Sequence, residues 1–295
     1  MADFDKIPSI LVTGGSGFFG RAFCRFVLQH NLAERLCVLS RGEHAQAALR
    51  DELKNDPRLR LFIGDVRDEP RLARAMRDVD LVIHAAALKR IEVGRYDSEQ
   101  MCLTNVVGTI NVVEAARRTG VRRLVALSSD KAYMPQPGSA YGQSKALMET
   151  IVLTANESSG GTALRTACCR YGNIWNSTGS VVPKWVRMLR EGADELPVTS
   201  EHATRFFMRV GEAVQLVIST AAHMKGGEIA IPDLPAYRLG DLVDAFGARA
   251  KITGLPKFEK LHESMEEGRS SDGARRLSVD FLREEIARTV GFSGI

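Results

Sequence analysis

Residues 128–145, SSDKAYMPQPGSAYGQSK, place two proton-handling devices in one short stretch. Tyr141 and Lys145 are four residues apart, so on a helix they share a face. There an ammonium can lower the phenol's pKa and leave a tyrosinate able to deprotonate an alcohol, the base of a hydride-transfer oxidation. Asp130 and Lys131 stand just upstream and are not needed for hydride transfer alone. A second proton donor and acceptor on the same substrate points to an oxidation coupled to an elimination.

Such groups need a rigid frame, and the chain can build one. Of its 295 residues 44% are hydrophobic and 26% charged, enough for a sizeable core and outside the disordered range. With 40 basic against 36 acidic residues and no long like-charged run, a nucleic-acid partner gets no support, and the small basic excess suits an anionic substrate and cofactor. The longest apolar runs, such as LVIHAAAL at 81–88, fall far short of the roughly 20 residues of a membrane-spanning helix, so no membrane anchor is expected. Five cysteines without a C-x-x-C, and no signal peptide, suggest a reducing cytoplasm. The six histidines are scattered, so no metal site is expected.

Short β-rich runs alternate with helical patterns: SILVTG (9–14), RLCVLS (35–40), RLFIGD (60–65), DLVIHAA (80–86), RRLVALSS (122–129) and TALRTACCRYG (162–172). Strands buried on both faces read as continuous apolar runs, and right-handed crossovers order them into a doubly wound parallel α/β sheet. A Rossmann-type unit is expected over 1–175. Beyond it the pattern predicts helices near 181–191, 211–222 and 239–250 and a strand at 226–232, forming a smaller α/β substrate-binding lobe over 176–295. Ligands of open parallel sheets bind beyond the carboxyl ends of the strands, which is where that lobe would sit.

The segment TGGSGFFG (13–20) follows the first apolar run and opens an amphipathic helix with Phe19, Phe23, Phe26 and Val27 on its apolar side. Gly14 allows the tight turn, Gly17 lets the backbone approach a pyrophosphate, and Gly20 permits close helix–strand packing, with Ser16 and Phe18 between them at the helix N-terminus. Where an NAD site usually carries Asp or Glu, at the end of the second run, stand Ser40 and Arg41. A hydroxyl and a guanidinium can bind a 2'-phosphate, so NADP is expected in preference to NAD. Asp65 and Val66 end the third run, where a carboxylate can accept from the adenine amino group. Ala85, Ala86, Ala87 and Lys89 follow the fourth run, where small side chains leave room for the cofactor, and neighbouring His84 reads as a core histidine. Asn105 falls in a helical pattern from about 97 to 119, a poor place for Asn unless its amide has a partner, which suggests support for the site.

The motifs TGGSGFFG, GDVRD, HAAALK, TNVVGT, SSDKA, YGQSK, RYGN, GSVVP, TRF, GGEIAIP and EKLHE stand in the order found in one group of extended short-chain dehydrogenase/reductases. From residue 8 to 265 the chain resembles the inverting UDP-N-acetylglucosamine 4,6-dehydratases of the polysaccharide-biosynthesis family, with Asp-Lys where other sugar-nucleotide dehydratases carry Asp-Glu. The resemblance implies C4 oxidation, loss of water across C5 and C6, and hydride return to C6, giving a 4-keto-6-deoxy sugar. A C4 ketone acidifies the C5 hydrogen, so a neutral amine can remove it while an acid protonates the departing hydroxyl. Lys131 is the expected base and Asp130 the expected acid, with Ser129, in place of the family's usual Thr, bonding the C4 oxygen. By the same resemblance Lys89, Tyr171, Asn173 and Glu259 contact the UDP-sugar, Val181, Val182 and Pro183 shape its channel, and Arg205 clamps the diphosphate. A homo-oligomer is implied as well. The loop YMPQPGSA is longer than in the family, and Leu255-Pro256-Lys257-Phe258 replaces the usual Arg-Pro-Gly. An epimerase or ketoreductase of the same fold is the alternative and would not need the Asp-Lys pair; a non-catalytic NADP-binding regulator would usually lack the Tyr-x-x-x-Lys.

Overall fold

In this computed structural model the described residues are 6–90, 94, 96–158 and 163–291. Six strands come first: β1 Ile7–Thr13, β2 Ala33–Ser40, β3 Leu59–Ile63, β4 Leu81–His84, β5 Arg123–Leu127 and β6 Arg165–Cys169. After them come β7 Glu195–Val198, β8 Thr204–Phe206 and β9 Glu228–Ala230. One seven-stranded sheet runs β3-β2-β1-β4-β5-β6-β9, with every pairing parallel. The order reverses between β1 and β4, which opens a crevice at their carboxyl ends.

Alternation along the strands sorts the core into two faces. Ile10 and Val12 of β1 and Val125 and Leu127 of β5 pack on one side with the Phe18–Gln29 and Val210–His223 helices. Leu11, Leu124 and Ala126 face the other way, onto the Gly108–Thr119 and Ala140–Glu157 helices. Both faces are therefore apolar, as the continuous runs of the sequence require.

The expected alternation of strands and helices is observed, with two corrections beyond residue 175. The strand anticipated in the lobe is β9, and it pairs with β6 as the seventh strand of the main sheet. The expected 239–250 helix stops at Phe246, and Arg249–Ile252 instead forms β11, parallel to β7. Gly247, in the left-handed conformation at φ 67°, ends the helix. A separate core gathers Trp175, Trp185, Phe207, Leu242, Phe246 and Leu282. In that part of the chain β8 pairs antiparallel with β10, Ala236–Arg238, and β12 Ser264–Glu266 pairs with β13 Arg269–Ser270.

Candidate active site

The glycine turn after β1 is built by close approach. Gly14 has φ 69°, and a Cβ there would lie 2.8 Å from the Ala86 backbone, at the loop that follows β4. A Cβ on Gly20 would come within 2.4 Å of Gly15, so the helix can start against the turn only with glycine at that position. The result is a cleft floored by Gly14, Ser16, Gly17 and Phe18 and walled by Ala85, Ala86 and Ala87. It continues past Lys89 into a cavity of ≈ 1060 Å³ that reaches Asn173, Val181, Arg205 and Glu259.

At the far end of β2 the Ser40 hydroxyl is held by Ser16 at 2.9 Å and by Gln46 Nε2 at 3.0 Å. Arg41 remains largely exposed, 4.0 Å from Asp65. Burial alone would raise the Asp65 carboxyl, but side-chain and backbone bonds from Arg67 hold it below the usual range. Val66 lies in the cleft wall and packs so tightly on Gly108 that a Cβ there would meet its Cγ2 at 2.7 Å. Asn105 is not in the wall. Its amide pins the loop after β4, accepting from Leu88 N at 2.8 Å and donating to Leu88 O at 2.9 Å and Ser144 Oγ at 3.0 Å. It does so from a π turn, Leu103–Val107, inserted between the Ser98–Cys102 and Gly108–Thr119 helices. His84 is the core residue expected: it bonds Thr13 and Thr109, and burial pushes it down to about 3.

Beyond β5 the backbone keeps pairing with the β6 side, Ser128 N to Cys169 O at 2.7 Å and Asp130 N to Tyr171 O at 3.0 Å. Ser129 caps a 3₁₀ turn, Asp130–Ala132, and Ser139 caps the Ala140–Glu157 helix by accepting from Gly142 N at 3.2 Å. These two short caps bring Ser129, Lys131, Tyr141 and Lys145 to one cavity wall. Tyr171 and Asn173 join them from the end of β6. Val182 is in the wall as well, whereas Pro183 and Asp130 are not.

Asp130 is completely buried. Its Oδ1 accepts from Ser129 Oγ at 2.8 Å and from Lys131 Nζ at 3.2 Å, and Oδ2 is buried without a partner. Burial raises its carboxyl above the usual range, with Glu263 adding to the effect against the pull of Lys131. That favours a held proton, as the acid role demands. For Lys131 burial alone would lower the amine, but Asp130 and Glu263 together draw it above its ordinary value. The neutral amine expected from the sequence is therefore not the resting form. Tyr141 also departs from expectation: burial raises the phenol, and what draws it back is Lys131 and the Ser129 hydroxyl. Lys145 is pushed down to about 8, chiefly by burial, while its Nζ donates to Leu127 O.

Glu263, the last residue of EKLHE, was not singled out by the sequence, where it reads as one more acid in a charged loop. It is 1% exposed, with Oε1 3.2 Å from Lys131 Nζ and 4.0 Å from Arg205 Nε. Arg205 itself pairs with Glu259 and donates to Thr204 O at 2.8 Å and Leu261 O at 3.1 Å. A buried bidentate pair, Arg170 to Glu149 at 2.8 and 2.6 Å, ties the end of β6 to the Tyr141 helix, and Arg170 also reaches Met265 O. No cluster able to hold a metal occurs among the described residues.

The sequence matches the polysaccharide biosynthesis protein family over residues 10–279. The chain belongs to that family. Among curated members it is 40% identical over 264 residues to the inverting UDP-N-acetylglucosamine 4,6-dehydratase of Campylobacter jejuni, covering 89% of this chain and 78% of that one. It is 36% identical over 268 residues to the UDP-glucose 4-epimerase of Rickettsia akari, covering 87% and 77%. Of solved structures, the dTDP-glucose 4,6-dehydratase of Streptomyces venezuelae, with NAD bound, superposes at a TM-score of 0.78 with 26% identity, covering 97% of this chain and 92% of that one. The family's extended Rossmann architecture is the one described above. No helix among the described residues is long and apolar enough to cross a membrane.

Proposed function

We propose that this chain is a UDP-N-acetylglucosamine 4,6-dehydratase that oxidises C4, eliminates water across C5 and C6, and yields a 4-keto-6-deoxy sugar nucleotide inverted at C5. The carrying observation is the Lys131 amine at the cavity wall beside Ser129 and Tyr141, backed by the buried Asp130. Epimerisation at C4 would use Tyr141 and Lys145 and leave the buried Asp130-Lys131-Glu263 cluster without a task. Burying three ionisable groups is unfavourable unless their charges do something. The similarity to the Campylobacter enzyme supports the same reading.

The glycine turn and the small Ala85–Ala87 wall fit a dinucleotide, since side chains at Gly14 or Gly20 would collide with backbone. Bound there, a nicotinamide dinucleotide supplies the hydride acceptor for C4 and the donor for C6. Tyr141, once its own phenol proton has passed to solvent, receives the C4 hydroxyl proton as a phenolate, and Ser129 holds the C4 oxygen. Lys131 removes the C5 proton, and Asp130 stores the proton for the leaving hydroxyl behind Ser129 and Lys131. Asn173 steadies Lys131 Nζ at 3.2 Å. Arg205 exchanges Glu259 for the substrate diphosphate, which a guanidinium can grip with two parallel bonds. Lys89, Tyr171, Val181, Val182 and Pro183 complete the sugar-nucleotide side, Pro183 by starting the Val181–Arg190 helix rather than by contact. In this reading residues 1–175 bind cofactor and 176–295 bind substrate. The working form is a cytoplasmic homo-oligomer, consistent with five unpaired cysteines and with the exposed Val107, Ile110 and Leu147 on neighbouring helices.

NADP is the proposed cofactor because Arg41, largely exposed and paired with Asp65 only at 4.0 Å, stands beside the oriented Ser40 hydroxyl. Arg41→Asp is expected to weaken NADP binding by about tenfold or more, the worth of a charge-assisted bond, while NAD binding changes far less. Titration of intrinsic fluorescence checks this, and equal losses for both cofactors would remove Arg41 from phosphate recognition.

The deciding experiment is incubation with UDP-N-acetylglucosamine and NADP in heavy water, followed by mass spectrometry and NMR of the sugar. Dehydration gives loss of one water, deuterium at C5 and no net reduced cofactor. Recovery of unaltered sugar, or of a C4 epimer of the same mass, would sink the proposal for this substrate.

A further inference from the structure

An amine that takes a proton from carbon must first present a lone pair, and the resting Lys131 is an ammonium ringed by acceptors. Its Nζ lies 3.2 Å from each of three oxygens: Asp130 Oδ1, Asn173 Oδ1 and Glu263 Oε1. An amide oxygen such as that of Asn173 is too weak a base to take the proton. Asp130 already accepts from Ser129 and Lys131, and its complete burial favours the protonated form. Glu263 is left. It is an anion, it is buried, and its Oε2 has no hydrogen-bond partner.

A second opening reaches the same two side chains. Lys131 and Glu263 both line a narrow cleft of ≈ 10 Å³ that adjoins the main cavity, sharing Lys131, Phe258 and Glu259 with it and walled on its other side by Gln136, Ser139 and Lys260. That volume accommodates about one water molecule. The loop carrying Gln136 is tied down on this side by Lys260, which donates to Tyr133 O.

Resting on the dehydratase reading, we propose that Glu263 is a positioning residue that accepts the proton of Lys131 and so delivers a neutral amine to the sugar. In this step an N–H bond of the ammonium breaks with its electron pair left on nitrogen, and an O–H bond forms from a lone pair of the Glu263 carboxylate. Two opposite charges vanish and no co-reactant is consumed. Desolvation favours the neutral pair, so a sugar that covers the cavity drives the transfer. The diphosphate assists from the other side: by occupying Arg205, 4.0 Å from Glu263, it offsets a cation that, after Lys131, helps keep Glu263 an anion. After the amine has taken the C5 proton, Glu263 releases its own proton to water through the cleft.

The test compares wild type, Glu263→Gln and Glu263→Asp as holoenzymes. Single-turnover dehydration by Glu263→Gln should be slower by about 100-fold at neutral pH. The deficit should shrink as pH rises, because solvent then takes the proton from an ammonium no longer held by the carboxylate. Glu263→Asp should regain part of the rate. A deficit equal at every pH, or none, overturns the proposal. NMR titration of ε-¹³C-labelled lysine, with the Lys131 signal identified by its loss in Lys131→Met, gives a readout independent of turnover. The Lys131 midpoint should fall in Glu263→Gln, and an unchanged midpoint overturns the coupling. A wild type that fails to dehydrate the sugar defeats the dehydratase reading, and the titration still decides whether Glu263 governs Lys131.

Discussion

Lys131→Met should bind the nicotinamide dinucleotide as wild type does and dehydrate UDP-N-acetylglucosamine at least about a thousandfold more slowly, a loss in the upper range for a general base. The Lys131 side chain is the part of the buried acid–base cluster that lines the main cavity, while Asp130 stays behind the wall. Elimination should stop after C4 oxidation, so mixing with substrate should leave reduced cofactor standing where the wild type shows none. The substitution also leaves the buried Glu263 carboxylate without the cation beside it, and breaking a buried pair costs about 3–5 kcal/mol. Lys131→Arg separates the two effects. It preserves the charge, and its guanidinium does not deprotonate, so it should fold well and remain as inactive as Lys131→Met. Appreciable dehydration by either variant would remove Lys131 from the base role.

Lys145→Met should make the enzyme inactive and its cofactor-free fold more stable. Lys145 is 4% exposed, and burial takes its amine from an ordinary 10.5 to about 8. Because the folded value is the lower one, the unfolded chain binds more protons between the two, and stability rises with pH across that window. The penalty is fully present below pH 8 and relieved above 10.5. It amounts to about 3 kcal/mol, less about 1 kcal/mol for the lost bond to Leu127 O. At neutral pH the variant should therefore melt several degrees higher, at about 2–4 °C per kcal/mol, and the gain should fade in alkaline buffer. Dehydration should fall by about a thousandfold, because Lys145 joins Lys131 on the cavity wall that carries Tyr141, and its replacement takes a proton donor from that wall. A variant that melts lower at neutral pH would show that Lys145 is held by stronger partners than Leu127 and Met148.

How much of this could be read from residue order depends on how local each cause is. The main sheet was legible because a strand buried on both faces needs a continuous apolar run, and residues 10–12, 36–39 and 81–83 supply one in β1, β2 and β4. The glycine turn was legible because Thr13 to Gly20 carries its glycines in one short pattern after an apolar run, although the backbone that Gly14 must clear, Ala86, lies far along the chain. The SSDK and YGQSK segments converge through two local caps, Ser129 and Ser139, so their proximity could be expected. Glu263 could not be found that way: it meets Lys131 only after the chain has traversed the lobe, and nothing in its neighbours distinguishes a buried acid from a solvated one. β9 was misplaced because a strand of three half-buried residues carries too little pattern to reveal its partner. The first two residues of β11 were read as the end of a helix because Arg249 and Ala250 are helix-prone and the pairing with β7 is long-range. The ionisation of Lys131 is drawn up first by Asp130, which stands beside it in the sequence, and then by Glu263, which does not, so only part of its cause was within reach.

The route of the chain through β9 bears on how such enzymes diversify. The backbone leaves the main sheet after β6, builds β7 and β8, returns through the Val210–His223 helix and β9, and departs again for β10 to β13. A donor module for a new sugar therefore cannot be spliced in at one junction, because a cut near residue 175 would carry off the edge strand β9 and a helix that packs on the main sheet. A workable chimera keeps Val210–Ala230 from the host and exchanges the stretches on either side of it, so inheritance of specificity in this architecture is interleaved rather than modular.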